Sequence, residues 1–281
     1  MKSVFLRFLC LLVLLTTSSA AGAEIRLNFG AYTSNKPTAI VKKFRPVLKA
    51  IERRVSAELN EPVKIHMQIA KSYEQGLADL IEGKVDFARF GSASYVAAKQ
   101  KAPDIEILAI ESNNGKKTFR GIICVAEDSP ITRIADLRNT RFAFGSERST
   151  IGRYLSQSHL LRHEIHAADL AGFEYLGRHD LVGKAVAMGK FDAGALNENT
   201  FNKLVKKGNK LRVLAEFPVL TKPWIARGGL PPRHLQALRR ALLEMDDQKA
   251  LGSLGKSGFL QASDQDFRAL RQVMSRAAEF F

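Results

Sequence analysis

Phe142-Ala-Phe-Gly-Ser-Glu-Arg-Ser-Thr-Ile-Gly152 reads as a short apolar strand that stops at a glycine, a hydroxyl-bearing loop, and the opening of a helix continuing from Ser149 to His163. Strand, loop and helix in that order make half of a β-α-β unit. The start of the chain repeats the pattern: Ile25-Arg-Leu-Asn-Phe-Gly30 alternates as a strand, and from Pro37 to Val55 an amphipathic stretch carries Ile40, Phe44, Leu48 and Ile51 on one stripe. Further on, Val63 to Ala70 and Val85 to Phe90 read as strands and Tyr73 to Ile81 as a helix stopped by Gly83. Such alternation predicts parallel α/β sheets.

Two short internal matches suggest a duplicated lobe. Phe29-Gly30-Ala-Tyr-Thr-Ser34 parallels Phe144-Gly145-Ser-Glu-Arg-Ser149, and Gly83-Lys84-Val-Asp86-Phe-Ala88 parallels Gly189-Lys190-Phe-Asp192-Ala-Gly194, in the same order. After a strand from Ile105 to Ile110, the polar run Glu111-Ser-Asn-Asn-Gly-Lys-Lys117 reads as a linker, and Phe119 to Ala126 opens the second lobe. Phe173 to Leu176 and Asp180 to Met188 add a strand and a helix there, while helices from Pro232 to Met245 and Asp264 to Ala278 are expected to return to the first lobe.

The expected architecture is an α/β fold of two lobes, each a mostly parallel sheet flanked by helices, with residues 24–112 plus 218–281 in one and 113–217 in the other. Crossings near Asn113 and Pro218 leave few covalent restraints, so the lobes are expected to close about a hinge. Trp224, the only tryptophan, lies near the second crossing.

The 281 residues carry 43 Lys plus Arg against 28 Asp plus Glu, a formal charge of +15, with 46% hydrophobic residues. That balance excludes disordered, collagenous and disulfide-scaffold classes. Lys2 and Arg7, an apolar run from Phe8 to Leu15 and the ending Ala21-Gly22-Ala23 fit a secretory signal peptide over residues 1–23. No later stretch reaches transmembrane length. Removal of the leader takes Cys10 with it, so Cys124 is the single mature cysteine; an intramolecular disulfide is impossible, and a disulfide-linked oligomer could form only through Cys124. A bacterial periplasmic location follows, which argues against nucleic acid as the partner of the excess positive charge. Its basic residues are spread along the chain, and solvated surface, small anions or an anionic membrane face remain as readings.

In parallel sheets, ligands sit beyond the carboxyl ends of strands, where helix starts present free N–H groups. The loops expected there are Tyr32 to Ser34, Gly91 to Tyr95, Ser146 to Gly152 and Arg178 to Asp180. Ser149-Thr150-Ile151-Gly152 opens a helix directly after a strand, so hydroxyls, N–H groups and the positive dipole end converge as an anion cradle, with a plain helix cap as the simpler reading. Gly91-Ser92-Ala93-Ser94-Tyr95 makes the same offer from the first lobe. Arg89, Arg148 and Arg178 could complement an anion, and His179 could donate to one.

His159, His163 and His166, spaced i, i+4 and i+7, would share one helical face and could hold a metal. However, the segment His163-Glu164-Ile165-His166 is one residue short of H-E-x-x-H. No G-x-S-x-G, Walker loop or nucleophile and base pair is present, so neither catalysis nor a cofactor is expected.

These motifs together resemble the phosphonate, phosphite and phosphate substrate-binding proteins of ABC importers, over essentially the whole mature chain. The resemblance rests on Gly30-Ala-Tyr32, Val85-Asp-Phe-Ala-Arg-Phe-Gly-Ser-Ala-Ser-Tyr95, Phe142 to Gly152, Gly177-Arg-His-Asp180 and Gly189-Lys-Phe-Asp-Ala-Gly194. It implies a two-lobed type II periplasmic binding fold that closes on a small oxyanion and hands it to an inner-membrane permease. By position it implies that Ser149 and Thr150 hold the anion, that His179 donates to it, and that Tyr32, Ser92 and Tyr95 close the opposite wall. Ile151 and Arg178 depart from the small residues usual at those places, so phosphonate, phosphite and phosphate all stay open. Glu198 could meet the amine of an aminophosphonate, or be a surface carboxylate. Sensing for a membrane receptor kinase, or metal binding by the three histidines, would be the alternative functions.

Overall fold

The computed structural model describes residues 24–32 and 37–281. The expected leader, residues 1–23, lies outside them, as does Ser34. The first lobe opens with β1 (Ile25–Tyr32) and α1 (Pro37–Leu59), whose Ile40, Phe44, Leu48 and Ile51 all turn into the core as the stripe predicts. Then come β2 (Val63–Ala70), α2 (Tyr73–Ile81), β3 (Phe87–Arg89), α3 (Ser92–Lys101) and β4 (Glu106–Ser112). The second lobe holds β5 (Thr118–Ala126), β6 (Arg141–Phe144) and a π-helical turn, Thr150–Leu155, that runs into α4 (Ser156–Leu161). It continues with β7 (Gly172–Tyr175), α5 (His179–Ala187), β8 (Ala193–Asn197), α6 (Glu198–Lys206) and β9 (Leu211–Leu220). The chain returns as β10 (Pro223–Ala226), α7 (Pro232–Leu243), α8 (Gln248–Leu254), β11 (Gly258–Leu260) and α9 (Arg268–Ser275).

The first sheet runs β11-β4-β10-β3-β1-β2 and the second β7-β6-β8-β5-β9. Parallel pairs join β1 to β2 and β3, and β6 to β7 and β8. Antiparallel pairs gather at the strands next to the crossings: β10 with β3 and β4, and β5 with β8 and β9. A strand arriving from the other lobe enters its sheet at the hinge end, so it runs opposite to its neighbours.

Both lobes clamp their first parallel strand with the same device. Beyond the left-handed glycines Gly83 (φ 73°) and Gly189 (φ 67°), the Asp86 and Asp192 carboxylates accept from the backbone N–H of Asn28 (2.8 Å) and Arg141 (2.7 Å). The two short Gly-Lys-x-Asp matches are thus one structural element used twice.

The polar run from Glu111 is not the linker it resembles. β4 continues through Ser112 with Glu111 fully buried, and the reversal is confined to Asn113–Lys116, where Asn114 (φ 52°) and Gly115 (φ 79°) turn left-handed. A carboxylate can remain in a buried strand here because Arg89 neutralises it. Pro218 likewise falls inside β9, which pairs with β5 as far as Leu220, so the chain crosses back at Thr221 and Lys222. The two crossings lie side by side: Thr221 N–H donates to Lys117 O (2.8 Å) and Glu111 N–H to Lys222 O (3.1 Å).

The tail returns to the first lobe, where Phe267 packs on Tyr95 (4.5 Å between rings), but it does not end there. Phe280 is buried in the second lobe against Phe144 (5.6 Å) and Phe173 (6.0 Å), so the tail adds a further tie between the lobes.

Candidate anion-binding cleft between the lobes

The carboxyl ends of the parallel strands in both sheets open on one cleft of about 530 Å³. One end of it, the hydroxyl end, is built from Tyr, Ser and Thr side chains. Gly91, just before α3, donates its N–H to Tyr32 Oη (2.6 Å), which lies 3.0 Å from Ser94 Oγ. From the opposite lobe Thr150 Oγ1 accepts from Ala93 N–H (2.9 Å), and Ser149 Oγ caps its own helix by accepting from Gly152 N–H (3.0 Å). A hydroxyl that accepts from an N–H is polarised by that bond and keeps its own proton to donate elsewhere. Tyr73 stacks on Tyr32 (4.1 Å) and closes the end of the wall.

The glycines of the deciding stretch seat this helix start. A Cβ on Gly152 would come within 2.7 Å of Gly145 Cα, and Gly145 N–H donates to Gly152 O (2.8 Å). Only two glycines allow the turn to rest directly on the end of β6, which is what carries Ser149 and Thr150 to the cleft.

The remaining expected site residues divide. Ser92 lines the cleft, and its Oγ donates to the Leu220 and Thr221 carbonyls (both 3.3 Å), tying α3 to the hinge. His179, at the start of α5, lines it too. Burial, then the nearby Lys222 charge, pushes its pKa down to about 4, so the ring is neutral at pH 7, and Nδ1 has no partner among the described residues. Tyr95 turns away: one helical step beyond Ser92 it points into the first lobe, donating to Asp264 Oδ1 (2.8 Å). Arg148 pairs with Glu74 (3.0 Å) across the surface, Arg178 holds Asp180 (2.9 and 2.6 Å), and Glu198 pairs with Arg120, so none of the three side chains is offered to the cleft.

The other end, the lysine end, is cationic. Arg89 grips Glu111 with both ends of its fork (2.6 and 2.9 Å), and Trp224 Nε1 donates to the same carboxylate (3.3 Å). Burial pushes the Glu111 carboxyl up, but Arg89, then Lys43 and Lys256, outweigh it and hold the pKa below the usual value. Lys43 from α1, Lys222 from the crossing and Lys256 from the segment before β11 share that wall. Arg89 and then burial lower Lys43 to about 7; burial and then Arg89 lower Lys222 to about 8. These three lysines, Glu111 and Tyr73 were not singled out by the sequence.

The three histidines do not form a metal face. The helix ends at Leu161, Glu164 turns left-handed (φ 58°), and His166 moves to a separate 3₁₀ turn beside Asp169. His163 Nδ1 instead meets its own helix at His159 O (2.9 Å). Among the described residues no group of three metal-ligating side chains comes together.

Two mixed α/β lobes, linked by paired crossings and facing each other across a hydroxyl-lined cleft, define the chain as a two-lobed periplasmic-type binding protein. Residues 29–267 match the family model described as ABC transporter, phosphonate, periplasmic substrate-binding protein, and the chain belongs to that family. It is similar to a probable ABC transporter phosphite binding protein, PhnD1, of Prochlorococcus marinus (strain MIT 9301), at 23% identity over 88% of both chains. The phosphonates-binding periplasmic protein of Escherichia coli (strain K12) is also 23% identical, over 96% of this chain and 82% of that one. Among solved structures, PhnD1 from Prochlorococcus marinus in complex with methylphosphonate matches with a TM-score of 0.77 at 22% identity, covering 90% of this chain and 98% of that one. That likeness places the fold.

Proposed function

We propose that this protein captures a phosphorus oxyanion in the interlobe cleft and delivers it to an ABC permease in the inner membrane. The observation that carries the reading is the convergence, at one end of the cleft, of the α3 start with the helix start at Thr150. Between them Tyr32, Ser149 and Thr150 present hydroxyls already polarised by backbone N–H groups. Three or four neutral donors around one point suit a tetrahedral group bearing several equivalent oxygens. Neutral donors are strong here because burial removes competing water.

In this reading Ser92 anchors the α3 start to the hinge, and neutral His179 offers Nδ1 to a P–OH of a singly protonated ligand. Tyr95 acts only as a packing residue. The lobe of β1–β4, β10 and β11 closes on the lobe of β5–β9 about the paired crossings, and the Phe280 tie limits how far they part. Calorimetric titration with methylphosphonate, phosphite and phosphate tests the assignment. Saturable one-to-one binding of at least one is expected, and no heat with any of them at millimolar concentration would remove the phosphorus reading. Small-angle scattering should show a smaller radius of gyration at saturation.

A further inference from the structure

The lysine end of the cleft carries more positive charge than a single small oxyanion at the hydroxyl end can use. Two carboxylates line the cleft among the described residues, Glu111 and Asp180, and both are spoken for: Arg89 holds the first and Arg178 the second. Seven lysine and arginine side chains line the same cleft. Four of them, Lys43, Arg89, Lys222 and Lys256, gather around Glu111 from four separate segments of the chain. Lys43 Nζ and Arg89 Cζ both lie over the Phe44 ring (5.9 and 5.3 Å from its centre), and Lys256 Nζ lies over Phe119 (5.6 Å). Aromatic faces attract these cations but do not neutralise them.

Resting on the reading of the hydroxyl end as the phosphoryl site, we propose that the ligand is a phosphorus oxyanion carrying a second anionic group, which Lys43, Lys222 and Lys256 receive. Like charges crowded in a half-buried cleft repel one another: the Arg89 charge is the first cause of the lowered Lys43 pKa and, after burial, the second cause of the lowered Lys222 pKa. A second carboxylate or phosphoryl group relieves it, whereas the ammonium of an aminophosphonate adds to it. Among the described residues no free carboxylate lines the cleft to receive such an amine. The volume agrees, since about 530 Å³ falls in the range of pockets for ligands well above the size of methylphosphonate.

Calorimetry with methylphosphonate, phosphonoacetate, methylenediphosphonate and 2-aminoethylphosphonate, together with succinate, tests this at pH 7.5 and low salt. Phosphonoacetate or methylenediphosphonate should bind at least tenfold more tightly than methylphosphonate, the tighter of the two telling carboxylate from phosphoryl at the second position. 2-Aminoethylphosphonate should bind more weakly than methylphosphonate. In the Lys43→Met/Lys256→Met variant the dianion advantage should shrink at least fivefold, and added salt should shrink it in the unaltered protein. The melting temperature of the variant, measured alongside, should be equal or higher, because the change removes repulsion. Methylphosphonate binding as well as or better than both dianions would overturn the proposal while leaving the phosphoryl site standing. Binding of succinate with no phosphorus compound bound would instead overturn the phosphoryl reading on which it rests.

Discussion

At the hydroxyl end of the cleft, Tyr32, Ser149 and Thr150 offer neutral donors fixed by backbone N–H groups, whereas at the lysine end Lys43, Lys222 and Lys256 crowd their amines around one paired carboxylate. The first arrangement specifies geometry, because each hydroxyl oxygen is fixed in place by a backbone N–H. The second specifies charge and leaves position loose, because a lysine amine is a point charge on a flexible stem. Substitutions at the two ends should therefore fail in different ways.

The largest effect is expected from Glu111→Gln, which leaves the Arg89 guanidinium without its counter-charge and exposes four cations to one another. Breaking a buried pair by removing one partner costs roughly 3 to 5 kcal/mol, so urea unfolding should show a loss of that size. A loss under about 1 kcal/mol would mean that the cationic end is solvated and unstrained. Trp224, which donates to the same carboxylate, supplies a fluorescence reading of this change.

Acid should act next, through His179 in the cleft wall. The His179 pKa stands at about 4 in the fold against 6.5 as the ordinary value, so between those values the unfolded chain takes a proton that the folded one refuses. Stability should therefore fall as pH drops through that window, at up to about 1.4 kcal/mol per pH unit and roughly 3 kcal/mol in all. In His179→Gln the slope across the same window should flatten by that amount; an unchanged slope would contradict a buried neutral ring.

Thr150→Val removes one donor and keeps the shape. Loss of a hydrogen bond to a charged ligand costs about 1.5 to 3 kcal/mol, so methylphosphonate affinity should drop by roughly ten- to a hundredfold, with stability lowered by only about 1 kcal/mol for the lost acceptor of Ala93 N–H. The reverse pattern, intact affinity and a lower melting temperature, would leave Thr150 as an interlobe tie alone. Tyr95→Phe should give the smallest change: about 1 kcal/mol of stability from the Asp264 bond, and no change in affinity, since its side chain points into the first lobe.

How much of this was legible in the sequence depends on whether the information was local. The strand-glycine-helix stretches gave both parallel cores and placed Ser149, Thr150, Ser92, Tyr32 and His179 at the cleft, because a helix start after a strand is set by neighbouring residues. Tyr95 was misplaced by its nearness to Ser92, three residues on but on the buried face of α3. The helical reading of His159, His163 and His166 failed at Glu164, whose left-handed turn no periodicity announces. Glu111 looked like linker because a carboxylate reads as exposed unless its partner is known, and Arg89 lies twenty-two residues earlier. The lysine cluster was invisible for the same reason: its members come from α1, the crossing and the approach to β11, and only their sum, the excess positive charge, showed in the composition. Phe280 gave no signal that a chain returning to the first lobe would end in the second.

The account rests on the phosphoryl group lying at the hydroxyl end, and a crystal structure of the complex with methylphosphonate tests that most directly. One phosphonate oxygen should lie about 2.7 Å from Thr150 Oγ1 and another equally close to Tyr32 Oη or Ser149 Oγ, with the methyl group directed toward the lysines. A phosphonate seated among Lys43, Lys222 and Lys256, with no oxygen within hydrogen-bonding distance of Thr150, would contradict it.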